Sequence, residues 1–117
     1  MMNLLNDANR QQDAFSYMLK EMSGYETITT FFMDFSIADV FGEKGIRDTY
    51  NRSIKHWKHD YKFITELYVV LNHKIWQWYE KNNDLAKLYD ELWRDCGSYC
   101  DDNFSKDELE YFYKITD

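Results

Sequence analysis

A chain of 117 residues is long enough for one domain with one buried core, in which roughly two-thirds of the unfolded surface leaves water on folding. A composition that is 44% hydrophobic and 30% charged excludes a disordered chain, and the absence of proline beside only four glycines leaves little to break helices, which points to an all-α fold. The net charge of −7 excludes general nucleic-acid binding, which needs a broad cationic footprint; the one basic region, residues 43 to 62, has six Lys or Arg against three acids, so the rest of the chain carries −10.

The opening MMNLLNDANRQQD has no basic segment followed by an apolar one, so no secretory signal is expected. Uncharged runs such as LYVVLNH, 67 to 73, fall far short of the roughly 18 residues of a membrane span, so no membrane association is expected. Cys96 and Cys100 do not make a disulfide framework. Together these features imply a cytoplasmic, reducing location.

Residues 3 to 22 place Leu4, Leu5, Ala8, Phe15, Met18, Leu19 and Met22 mostly on one helical face, and Gly24 supplies a stop. TITTFFMDFSIADVFG, 27 to 42, is nearly all apolar or small and predicts one or two short buried helices with Ser36 as an internal cap; Gly42 and Gly45 bracket a turn. Ile54, Trp57, Tyr61, Ile64, Tyr68, Leu71, Ile75 and Trp78 then alternate spacings of three and four, a heptad seam that predicts one long helix over about 46–81. Unbroken, it would be about 54 Å long. Phe63, Val69, Val70 and Trp76 add apolar groups on its other faces, as expected of a central helix.

Asp84 is the expected cap of a helix whose stripe is Leu85, Leu88, Tyr89, Leu92, Trp93 and Cys96, and which can continue through Gly97 to Cys100. FSKDEL then supplies a capping box, Ser105 with Glu108, so a last helix should begin at Lys106. No linker or internal repeat divides the chain. The expectation is a single all-helical domain over 1–117, a bundle of about five helices packed around the long one.

The phrases TTFFMDFSIADVFG, DTYNRSIKHWKHDYKFITELYVVLNHKIW, YEKNNDLAKLYDELW and ELEYFYKITD resemble a family of small proteins encoded by phages and mobile elements of gut bacteria, over about residues 27 to 117. The family has no assigned activity, so the resemblance transfers no functional residue. It implies a context, in a host cytoplasm, in which small proteins bind and redirect host machinery or block host defences.

The histidines do not make a metal site by spacing. His73 lies about 21 Å beyond His59 on a continuous helix, and zinc needs three or four ligands around one point. His56 and Asp60 at i, i+4 supply two ligands at most, and an ordinary helix-surface pair is the simpler account. Cys96 and Cys100 are half a zinc site without a second pair, and Cys96 continues an apolar stripe, which favours core packing. No phosphate loop, GxSxG or HExxH is present, and no cofactor, metal or catalytic set is expected.

The remaining candidates are surfaces for a protein partner. Lys55, Lys58, His59 and Lys62 form a basic strip pointing away from the seam. Trp76, Tyr79, Tyr111 and Tyr113 are aromatic rings with polar tips suited to an interface. Asp101, Asp102, Asp107, Glu108 and Glu110 can meet a basic surface, such as that of a nucleic-acid-handling complex, although acids at a helix start also serve the macrodipole. The expected function is that of a small acidic protein-binding module, a phage-derived modulator or inhibitor rather than an enzyme. The alternatives are a self-associating structural protein, with the seam forming a homodimer, and a metal-dependent enzyme.

Overall fold

The computed structural model describes residues 25–116, and the predicted helix over 3–22 with its stop at Gly24 lies outside them. Among the described residues the fold is all-helical. Four helices follow one another: α1 Tyr25–Trp57, α2 Tyr61–Trp78, α3 Asn83–Asn103 and α4 Lys106–Thr116.

Helix α1 is two arms. Gly42, at φ 77° and ψ −155°, interrupts it in a backbone region that is essentially reserved for glycine. A straight helix of 33 residues would be about 50 Å long. The largest dimension of the molecule is 37 Å. The chain therefore folds back at Gly42, and Phe31 of the first arm and Trp57 of the second line one cleft. The reversal is tight: a Cβ on Gly45 would stand 2.7 Å from Phe41 Cβ and 3.0 Å from the Ala38 carbonyl oxygen, so the crossing needs glycine there. Of the one or two short buried helices expected over 27–42 there is one arm, exposed along its outer side instead of buried all round, and Ser36 is an exposed residue within it instead of a cap.

The expected long helix over 46–81 is not formed, and the bundle is not built around it. Trp57 ends α1, Lys58 and His59 turn, and Asp60 starts α2 as an N-cap, accepting from the backbone N–H groups of Lys62 (3.1 Å) and Phe63 (3.2 Å). A carboxylate that satisfies two otherwise orphaned donors lets the helix restart without any glycine or proline. The far end comes at Trp78, followed by Glu80 in a left-handed conformation, φ 67°.

Helix α2, 18 residues long, is the centre of the molecule and packs on α1, α3 and α4. Its buried residues include Ile64, Leu67, Val69, Val70 and Leu71, which cover more than one face. The seam residues Tyr61 and Tyr68 meet α3 and α4: Tyr68 lies 5.1 Å from Trp93 of α3 and 4.9 Å from Phe112 of α4, and Tyr61 lies 5.2 Å from Tyr111 of α4, ring centre to ring centre. Helix α3 does continue through Gly97, with Leu88, Tyr89, Leu92, Cys96 and Cys100 in the core. Its cap is Asn82, which accepts from Leu85 N–H at 3.2 Å, and Asp84 stands instead in the first turn. The capping box before α4 forms as expected: Ser105 N–H donates to Glu108 at 2.8 Å, and Glu108 N–H to the Ser105 hydroxyl at 3.3 Å.

Candidate functional site

The first arm of α1 carries two apolar stripes. Phe31, Phe35 and Ala38, at i, i+4 and i+7, are buried. Met33, Ile37 and Val40 repeat the same spacing two residues later and, with Phe41, face outward at 59%, 58%, 83% and 72% exposure. Together they expose on the order of 500 Å² of side chain, as much as the largest patch on a typical monomer. Thr29, Thr30 and Ser36 are also exposed, and among the described side chains of residues 29–41 the only charges are the half-buried Asp34 and Asp39, neither of which belongs to the outward stripe. In a chain that is 30% charged, such a face has the composition of an interface core.

The inward stripe is fixed by a polar cluster at the end of the arm. Lys74 of α2 is fully buried, and its Nζ lies 2.5 Å from Asp39 Oδ2. Trp78 Nε1–H donates to the same oxygen at 3.2 Å, and the Tyr89 hydroxyl donates to Asp39 Oδ1. The ammonium also stands 5.6 Å from the Tyr89 ring centre and 5.9 Å from that of Trp78. Burial first, then the bond to Asp39, pushes the Tyr89 phenol well above its ordinary range. One positive and one negative charge, both hydrogen-bonded, make a neutral clasp between α1, α2 and α3. With Lys74 sealed from solvent, its chemistry is positional.

The basic residues sit together, but at a corner instead of along a helix face. Lys55 is in the last turn of α1, Lys58 and His59 form the turn, Lys62 opens α2, and all four are exposed. The Tyr99 hydroxyl donates to the Lys58 carbonyl at 2.9 Å and pins the corner to α3. His56 and Asp60 do not pair, because Asp60 caps α2 while the His56 ring meets Trp57 edge-on at 4.5 Å. His73 packs edge-on against Phe32 at 5.1 Å, and burial, followed by the charge of Lys74, lowers its pKa. Among the described residues no group of three or more His, Cys, Asp or Glu can hold a metal ion.

The acidic candidates lie at the same end of the molecule as the basic corner, since Tyr61 at the start of α2 touches Phe104 and Tyr111. Asp101 accepts from the Tyr113 hydroxyl at 2.9 Å, and Glu108 is engaged in its capping box. Asp102, Asp107 and Glu110 are exposed. Tyr111 is half-buried against the core and Tyr113 exposed. Opposite charges that meet at one end shorten each other's reach, which weakens either as a lone docking field. Trp76 and Tyr79, with ring centres 5.6 Å apart, stand at the other end of α2, where Trp78 bonds Asp39 beside Val40 and Phe41. Cys96 and Cys100 are buried free thiols; Cys96 S–H donates to the Ile64 carbonyl at 3.8 Å, and burial pushes its pKa well up.

The outward stripe is the surface that sequence reasoning missed. A stretch that is nearly all apolar or small reads as buried, yet the two-residue offset between its i, i+4, i+7 sets is a signal that one arm carries two faces. No family model matches the chain, and no curated protein or solved structure matches it.

Proposed function

We propose that the protein acts by binding another protein, with the outward stripe of Met33, Ile37, Val40 and Phe41 as the centre of the docking surface. That exposed neutral stripe is the observation that supports the reading. Its area is more than half of the roughly 800 Å² that each side of a standard interface contributes. The partner that fits is apolar at its centre and basic at its rim: a chain of net charge −7 repels its own copy and attracts a cationic surface. Covering such a surface on a larger complex is occlusion, the mode of action of a small modulator or inhibitor, and the phage-type context suggested by the resemblance agrees with that role.

The test compares captures from host lysate by the wild type, by Val40→Asp with Phe41→Asp, and by Lys55→Glu with Lys58→Glu and Lys62→Glu. The reading expects one stoichiometric protein that the Val40/Phe41 variant loses and the lysine variant keeps. Equal capture by wild type and the Val40/Phe41 variant sinks it. A dimer in light scattering that Val40→Asp dissolves would assign the face to a second copy instead.

A further inference from the structure

Between the two arms of α1 lies a cleft of about 460 Å³, within the usual range for small-molecule sites. Phe31 and Ser53, both buried, lie deepest; Asp34 and Trp57 are half-buried, and Arg52 and His56 stand exposed at the mouth. The Trp57 ring is held by Phe63 at 4.2 Å and by His56, so this aromatic wall is set before any ligand arrives. The Ser53 hydroxyl donates to the Thr49 carbonyl at 2.8 Å, which leaves its oxygen free only to accept.

The charged groups here are uncommitted. Arg47 is paired with Glu43 and Glu91, and Arg94 with Asp90. Arg52 and Asp34, by contrast, form no ion pair with each other or with another described residue. Arg52 and His56 are one helical turn apart, so a guanidinium and an imidazole present donors from one side, with a carboxylate on the opposite arm.

We infer that this cleft binds a small molecule that joins a planar aromatic ring to an anionic group. The ring packs on Trp57 and Phe31, the anion meets Arg52 and His56, and an N–H or O–H on the far edge of the ring donates to Asp34. Aromatic carboxylates and nucleoside monophosphates share this chemistry. The site is separate from the outward stripe and does not depend on it.

Titration calorimetry on the full chain, with guanosine monophosphate, indole-3-acetate and inorganic phosphate alone as probes, tests the inference. At least one aromatic anion should bind with Kd below about 1 mM, and phosphate alone at least about tenfold more weakly. Tighter nucleotide binding assigns phosphate as the anion, tighter indole acid a carboxylate. Arg52→Ala should weaken the better ligand about tenfold and Asp34→Asn a few-fold, whereas Lys55→Ala and Val40→Asp leave it unchanged. Trp57→Phe, which keeps a ring in the wall, should retain binding with a different heat. No saturable binding of either aromatic anion, phosphate binding as tightly as both, or wild-type affinity in a folded Arg52→Ala overturns the inference.

Discussion

Glu66 sits on the central helix with no exposure, and neither carboxylate oxygen has a hydrogen-bond partner among the described residues. Burial, with a smaller contribution from the negative charge of Asp60, pushes its pKa from 4.5 up to about 8. Between pH 4.5 and about 8 the folded protein therefore keeps a proton that the unfolded chain has already released. Its contribution to stability is thus most favourable below pH 4.5, declines as pH rises towards 8, and is constant above. At about 1.4 kcal/mol per pH unit, the loss is about 3 kcal/mol by pH 7 and approaches about 5 above pH 8. Urea unfolding followed by circular dichroism from pH 5 to 9 measures it. Glu66→Leu should be flatter than wild type over this range and, at pH 7, more stable by up to about 3 kcal/mol, or about 10 °C in Tm. Glu66→Gln, which keeps the volume and cannot ionise, should flatten the profile in the same way. Parallel profiles for wild type and both variants would refute the reasoning, as would a Leu variant less stable than wild type at pH 8.

Three further outcomes are expected. Asp39→Ala should destabilise the fold by about 3–5 kcal/mol by leaving Lys74 buried and unpaired, whereas the pair Asp39→Leu with Lys74→Met should lie close to wild type; chemical denaturation distinguishes the two. Gly42→Ala should cost about 1–3 kcal/mol in thermal melts even though a Cβ there meets nothing within 4 Å, because the cost is backbone conformation rather than packing. Cys96 and Cys100 should not react with a soluble thiol reagent in the native protein and should become reactive in step with unfolding, since both are fully buried.

What could be read from the sequence was the period, and what could not was where the chain turned. The all-α class, the stripe of α3 and the capping box before α4 rest on local chemistry that the residues state directly: spacing, then a hydroxyl three positions before a glutamate. The seam from Ile54 to Trp78 misled because a three-residue corner capped by Asp60 preserves the four-residue step from Trp57 to Tyr61. Both sides of the corner point into one core, so the apolar period is blind to it. The only local mark was the aspartate, which the reading in terms of a continuous helix assigned to His56 instead. The basic residues lie together for a reason other than the one expected: a corner exposes consecutive positions as readily as one side of a helix does.

Which stripe of the first arm faces inward is a tertiary decision, and Asp39 makes it. On the helical wheel Asp39 falls beside Phe31, Phe35 and Ala38, away from Met33, Ile37 and Val40. Rotating the arm to bury the outer stripe would carry the carboxylate off Lys74, Trp78 and Tyr89 and leave a sealed ammonium without its partner. Such a loss exceeds what exchanging two stripes of similar apolar area could return. The clasp thus selects the face as well as holding the helices. It follows that the Asp39→Leu, Lys74→Met pair, though about as stable as wild type, should lose the preference for one face. If the stripe docks a partner as proposed, the pair should capture less of that partner than wild type, while an Asp39→Glu variant, which keeps a carboxylate for Lys74, should capture more than the pair.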